Sequence, residues 1–138
     1  MPFGSRLAIR LALAWLVAGA TAGVAVAFVR AEALPPSTAG PLYRGHVASM
    51  LFGWFTQLVL GVAFWMLPKF ARHDPRWPRG DERPFVVGVV AMNVALLCAM
   101  GAAAADATQT SRVAFAAVAV SAALCASRLW PRVKAFGV

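Results

Sequence analysis

The sequence predicts an all-α integral membrane protein, a single four-helix bundle over residues 1–138 with both termini cytoplasmic. Three observations carry this. Of 138 residues, 61% are hydrophobic and 13% charged, about half the charged share of an ordinary soluble domain, and the mean hydropathy is +0.71. Four apolar runs, approximately 7–29, 45–67, 84–105 and 113–129, are separated by stretches that hold proline, glycine and charge. The basic residues behind the net charge of +8 sit at the ends of those runs rather than in a patch interleaved with aromatics. That placement fits the anionic headgroups of a lipid bilayer and argues against nucleic acid.

The first run opens beside Arg6 and Arg10, and Ala25-Val26-Ala27 near its end looks like a signal cleavage site. Residues 11–29 are uncharged for longer than a signal core, so the expectation is a retained helix. Gly19 and Gly23 give it a small-xxx-small pattern suited to close helix contact. The segment AEALPPSTAGPLYR reads as an outer loop stiffened by Pro35, Pro36 and Pro41. The second run has no Asp, Glu, Lys or Arg from Gly45 to Pro68, enough to cross a core of about 30 Å at about 1.5 Å per residue. The loop KFARHDPRWPRGDER alternates in sign and reads as a solvated connector on the lipid surface, with partner docking as its other use. In the third run Asn93 lies mid-membrane and should hydrogen-bond within the bundle, with Gln57 as a candidate partner. The fourth is Ala-rich, and Arg128 must snorkel toward the headgroups.

Lys and Arg in short loops set the orientation. Arg6, Arg10, Lys69, Arg72, Arg76, Arg79, Arg83, Arg128, Arg132 and Lys134 fall on one side, leaving Arg30, Arg44 and Arg112 on the other. The basic side is cytoplasmic by this rule, so His46 lies near the outer face of a bacterial-type inner membrane crossed several times. Tyr43, Trp65 and Trp130 then come close to the interfaces that amphipathic aromatics prefer.

Several chemistries lack their residues. Cys98 and Cys125 lie singly in apolar runs, signalling neither a zinc site nor a disulfide framework. Apart from Asp106 at the edge of the third run, the spans hold no acidic residue for a proton or cation relay. No G-x-S-x-G, H-E-x-x-H or phosphate-binding glycine loop is present.

His46 is the exception, an ionisable residue at one end of an otherwise uncharged span. With His46 at zero and about 100° per residue, Met50 falls near about +40°, Gly53 near about −20°, Gln57 near about +20° and Gly61 near about +60°. This stripe reads either as a helix-packing seam, with His46 hydrogen-bonded to a neighbour, or as a face open to a flat ligand.

The run LYRGHVASMLFGWFTQLVLGVAFWMLP resembles the second helix of the catalytic subunit of heme-copper oxidases, in the branch of C-type cytochrome oxidases and nitric oxide reductases. Arg44, His46, Gly53-Trp54, Gly61, Trp65 and Pro68 match that helix in order, over about a fifth of the chain. The resemblance implies that His46 is an axial metal ligand to a heme b. Met50 and Gly53 would then lie on the cofactor's side, and Arg44 would pair with a propionate or act as an interfacial anchor. A heme-copper centre needs more histidines than His46 and His73, so the chain is not expected to be a stand-alone enzyme. His73, in the basic loop, belongs to the opposite side of the membrane. The second axial ligand would be His46 of another copy in a symmetric dimer, or Met50, Met92 or Met100.

The resulting expectation is a small membrane heme b protein in electron transfer or heme-based sensing, working as a homodimer, a higher oligomer or part of a larger respiratory complex. The alternative is a cofactor-free accessory subunit of such a complex. A homo-oligomeric pore lined by His46, Met50 and Gln57 is the remaining reading.

Overall fold

In a computed structural model of the chain, residues 1–70, 72–105 and 107–133 are described. Four helices dominate them: α1 (Phe3–Arg30), α2 (Pro36–Met66), α3 (Arg83–Ala104) and α4 (Thr108–Val133). Each is long and apolar enough to cross a membrane, as an all-α multi-pass chain requires. Asp106 and Lys134, used in the sequence reading, lie outside the described residues.

Helices α1, α2 and α4 are longer than their apolar runs, while α3 matches its run in length. Helix α1 starts directly after Pro2, whose extended backbone turns the chain into it. It ends with the Ala33 N–H donating to the Phe28 carbonyl at 3.0 Å and that of Glu32 to Val29 at 3.1 Å. Glu32 adopts φ of 60° there, closing the helix where glycine is usual. At the other extreme α4 continues through Pro131 to Val133, well beyond the apolar run.

Much of the segment expected as an outer loop is helical. A 3-10 turn over Pro36–Thr38 leads into α-helix over Ala39–Ala48. Pro36 and Pro41 lie in these opening turns, where a missing N–H costs no intrahelical bond. Prolines that read as braces therefore start the helix. Its middle, Ser49–Thr56, winds as a π-helix, with the Thr56 hydroxyl donating five residues back to the Leu51 carbonyl at 2.8 Å. Ordinary helix resumes over Gln57–Met66 and stops where Leu67 turns extended before Pro68.

The helices α1 and α2 form one antiparallel pair, and α3 and α4 another. Two buried clusters join the pairs. Toward the basic loop lie Ala8, Leu60, Phe64, Phe85, Val89, Cys125 and Leu129, with the Phe64 and Phe85 rings stacked at 4.2 Å. Toward the opposite end lie Ala48, Met92, Leu96 and Val118. Large apolar residues such as Leu13, Val17, Leu51, Phe55, Val87 and Val120 face outward.

The basic loop is more organised than a plain connector. Within it the Phe70 N–H donates to the Pro78 carbonyl at 3.1 Å, and the Arg76 guanidinium lies 4.2 Å over the Phe70 ring. Asp74 accepts from the Arg76 backbone at 2.8 Å and pairs with its guanidinium at 2.7 Å. These bonds from the side chain and then the backbone of Arg76 hold the Asp74 carboxyl down at about 2, against its usual 3.8. The loop also ties helix ends together, because the Glu82 carboxylate accepts from the Gly4 N–H at 3.1 Å in the first turn of α1.

Candidate functional site

All five residues of the α2 stripe meet α1, despite the π-helical winding between His46 and Gln57. The His46 ring lies over Gly23, where an added Cβ would come within 2.9 Å of its Nδ1 and Cε1. One turn earlier, a Cβ on Gly19 would meet the Met50 sulfur at 2.8 Å. Gly53 backs onto the Trp15 ring, and Gly61 onto Ala8, where a Cβ would have 2.9 Å. Small residues on each helix thus receive the large side chains of the other, as expected where membrane helices associate by close packing.

The expected contact of Asn93 with Gln57 is present. The Asn93 amide donates to Gln57 Oε1 at 2.5 Å and to the Val89 carbonyl at 2.7 Å, while its own oxygen accepts from Trp15 Nε1 at 2.7 Å. Fully buried Gln57 donates onward to the Ala8 carbonyl at 3.2 Å. This chain of amides links α1, α2 and α3 at mid-bundle and leaves Gln57 committed to structure. The signal was two amide side chains in apolar runs. Trp15 as the third member was missed because an indole in an apolar run also reads as a lipid contact.

His46 is half-buried, and its Nδ1 lies 2.8 Å from the Gly19 carbonyl. A carbonyl only accepts, so this bond places a proton on Nδ1, and in the neutral ring the lone pair is then on Nε2. Among the described residues Nε2 has no hydrogen-bond partner, and it is not among the buried unpaired atoms. An imidazole anchored through Nδ1 to a backbone carbonyl, with Nε2 accessible, has the form of a metal ligand.

The residues fit a heme unevenly. His46 can donate Nε2, and Arg44, exposed two residues earlier, can meet a carboxylate. Arg44 lines adjoining cavities of about 290 and 250 Å³ at this end, the first reaching Gly45 and Met100, the second Ser111 and Arg112. Met50 and Gly53, by contrast, are covered by Gly19 and Trp15, so a porphyrin on their side would have to displace α1. Met92 is buried in the core, and Met100 lies beside Gly45 and Ser49. His73 is exposed in the basic loop, past the opposite end of α2. No group of three or more His, Cys, Asp or Glu suited to a metal occurs among the described residues.

One buried residue escaped the sequence reading. Arg132, 1% exposed, donates from Nε to the Pro68 carbonyl at 2.9 Å, from Nη1 to Phe64 at 2.8 Å and from Nη2 to Leu67. These carbonyls close α2 and have no helical partner of their own. The sequence reading assigned Arg132 only to the charge that orients the chain.

No family model matches the chain, and neither a curated protein nor a solved structure does.

Proposed function

We propose that this chain is a small multi-pass protein of a bacterial-type inner membrane, with both termini cytoplasmic, that holds heme b through His46. The observation that carries the reading is the His46 Nδ1 bond to the Gly19 carbonyl, which leaves Nε2 free to ligate. The likeness of the 42–68 segment to the second helix of heme-copper oxidases supports the same residue. A bound heme b would supply one-electron chemistry, suiting electron transfer first and heme-based sensing second. For its part, the Gly19 carbonyl orients the imidazole through Nδ1, Gly23 leaves room for the ring against α1, and Arg44 offers a fork for a carboxylate.

Because α1 fills the Met50 and Gly53 side, the heme belongs where His46 reaches the protein surface. A heme held there would need a second ligand, for which His46 of a second copy is the simplest source, since a two-fold interface brings identical residues together, and Met100, which lines the same end of the bundle, is the other. Wild-type protein purified from heme-replete cells should show a Soret band that His46→Ala abolishes. A folded wild type without that band would overturn the reading.

The closely packed seam from Gly23 to Gly61 favours a second reading, a cofactor-free accessory subunit of a larger respiratory complex. Under that reading His46 is a polar link between α1 and α2. Stable protein carrying no heme, recovered with a larger assembly, would select it.

A further inference from the structure

At the basic-loop end, a cavity of about 300 Å³ opens between the loop and the last turns of α2 and α4. Phe64 and Phe70 contribute apolar walls, while Arg76, Arg79 and Arg128 contribute charge, and among the described residues Asp81 is the one acidic residue lining it.

Most of the charge here is already engaged. Arg76 pairs with Asp74 and covers Phe70, and Asp81 accepts from the Arg83 backbone N–H at 2.9 Å. The neighbouring Arg132 is held by the end of α2. Arg79 and Arg128 remain. Neither has a carboxylate within ion-pair distance among the described residues, and Arg79 Nε is buried with no acceptor. A guanidinium N–H removed from water without an acceptor is costly. Arg128, exposed on α4 and lining the same cavity, brings a second guanidinium without a carboxylate partner, and an anion entering the cavity would satisfy the buried Arg79 Nε while meeting both charges.

The geometry points to a phosphoryl-binding site formed by Arg79 and Arg128, filled by the headgroup phosphate of an anionic phospholipid. A guanidinium fork matches phosphate oxygens. The cavity lies at the ends of helices long enough to span a membrane, level with headgroups. Basic pockets between helix ends in that position recruit lipid phosphates. Trp77, exposed on the same loop, suits an anchor at that depth. The site is at the opposite end of α2 from His46 and does not depend on heme.

Retention of phosphatidylglycerol by the full chain, measured by native mass spectrometry from mixed micelles with phosphatidylcholine, tests this. Arg79→Gln and Arg128→Gln should each weaken retention about fivefold, the worth of one arginine near a lipid surface. Arg112→Gln, at the other end, should leave it unchanged. Arg79→Lys keeps the charge without the fork and should recover part of the loss, which a folding defect would not permit. Inorganic phosphate supplies a second arm. If it stabilises the wild type and not Arg79→Gln, while lipid retention is equal in both, the phosphoryl site stands and its source is free phosphate. Equal retention in all variants with no phosphate effect, or an equal loss in Arg112→Gln, would overturn the site.

Discussion

The Arg132 guanidinium donates to the Phe64 carbonyl at 2.8 Å and also lies 5.4 Å over the Phe64 ring. A residue of the last turn of α4 thereby closes the last turn of α2, combining a charge-assisted bond, the favourable end of a helix dipole and a cation–π contact. Arg132→Met would leave three carbonyls without their donor. We expect a loss of about 3 kcal/mol, the upper range for unsatisfied buried acceptors, read as easier unfolding by SDS in mixed micelles. Arg132→Lys should recover only part, because an ammonium cannot reproduce the planar fork.

Asn93 joins three helices through Trp15, Gln57 and Val89. Asn93→Leu should cost about 1 kcal/mol, near the mean for hydrogen bonds between membrane helices. The indole N–H resonance of Trp15 should shift, while those of the exposed Trp65 and Trp130 stay in place.

Two glycines separate packing from propensity. At Gly53 a Cβ would enter the Trp15 ring, whereas at Gly101 nothing lies within 4 Å. Gly53→Ala should destabilise by about 1–3 kcal/mol, as overpacking does. Gly101→Ala should be neutral or stabilise by up to about 1 kcal/mol, because alanine is the better helix former. Parallel SDS titrations of the two variants check the contrast.

The basic loop carries its own pH dependence. The folded Asp74 carboxyl titrates at about 2, below its ordinary 3.8, so the Asp74–Arg76 pairing supports the loop fully above the ordinary value. That support is lost as pH falls from about 4 through about 2. A carboxyl carbon NMR titration should place the Asp74 midpoint there, and Arg76→Gln should bring it back toward the ordinary value.

Hydropathy made the four helices legible, and two amides in apolar runs made the Asn93–Gln57 contact legible. The start of α2 was hidden because prolines in a first turn look like prolines in a loop. The π-helical stretch left no mark in side-chain period, since His46, Met50, Gly53, Gln57 and Gly61 still face α1 after it. Arg132 was legible as a charge and not as a cap, because its carbonyl partners lie 64 to 68 residues away along the chain. At His46 the sequence supplied a residue and a resemblance, while the Gly19 carbonyl that orients the ring depends on how α1 packs.

The ligand role of His46 is tested most directly by the heme content and spin state of the purified full chain. Pyridine hemochrome assay with low-temperature electron paramagnetic resonance should find one heme b per two protomers with a low-spin, bis-imidazole signal. Both should vanish in His46→Ala while its helical circular dichroism is kept. A folded wild type without heme, or a heme whose signal survives His46→Ala, would contradict that role.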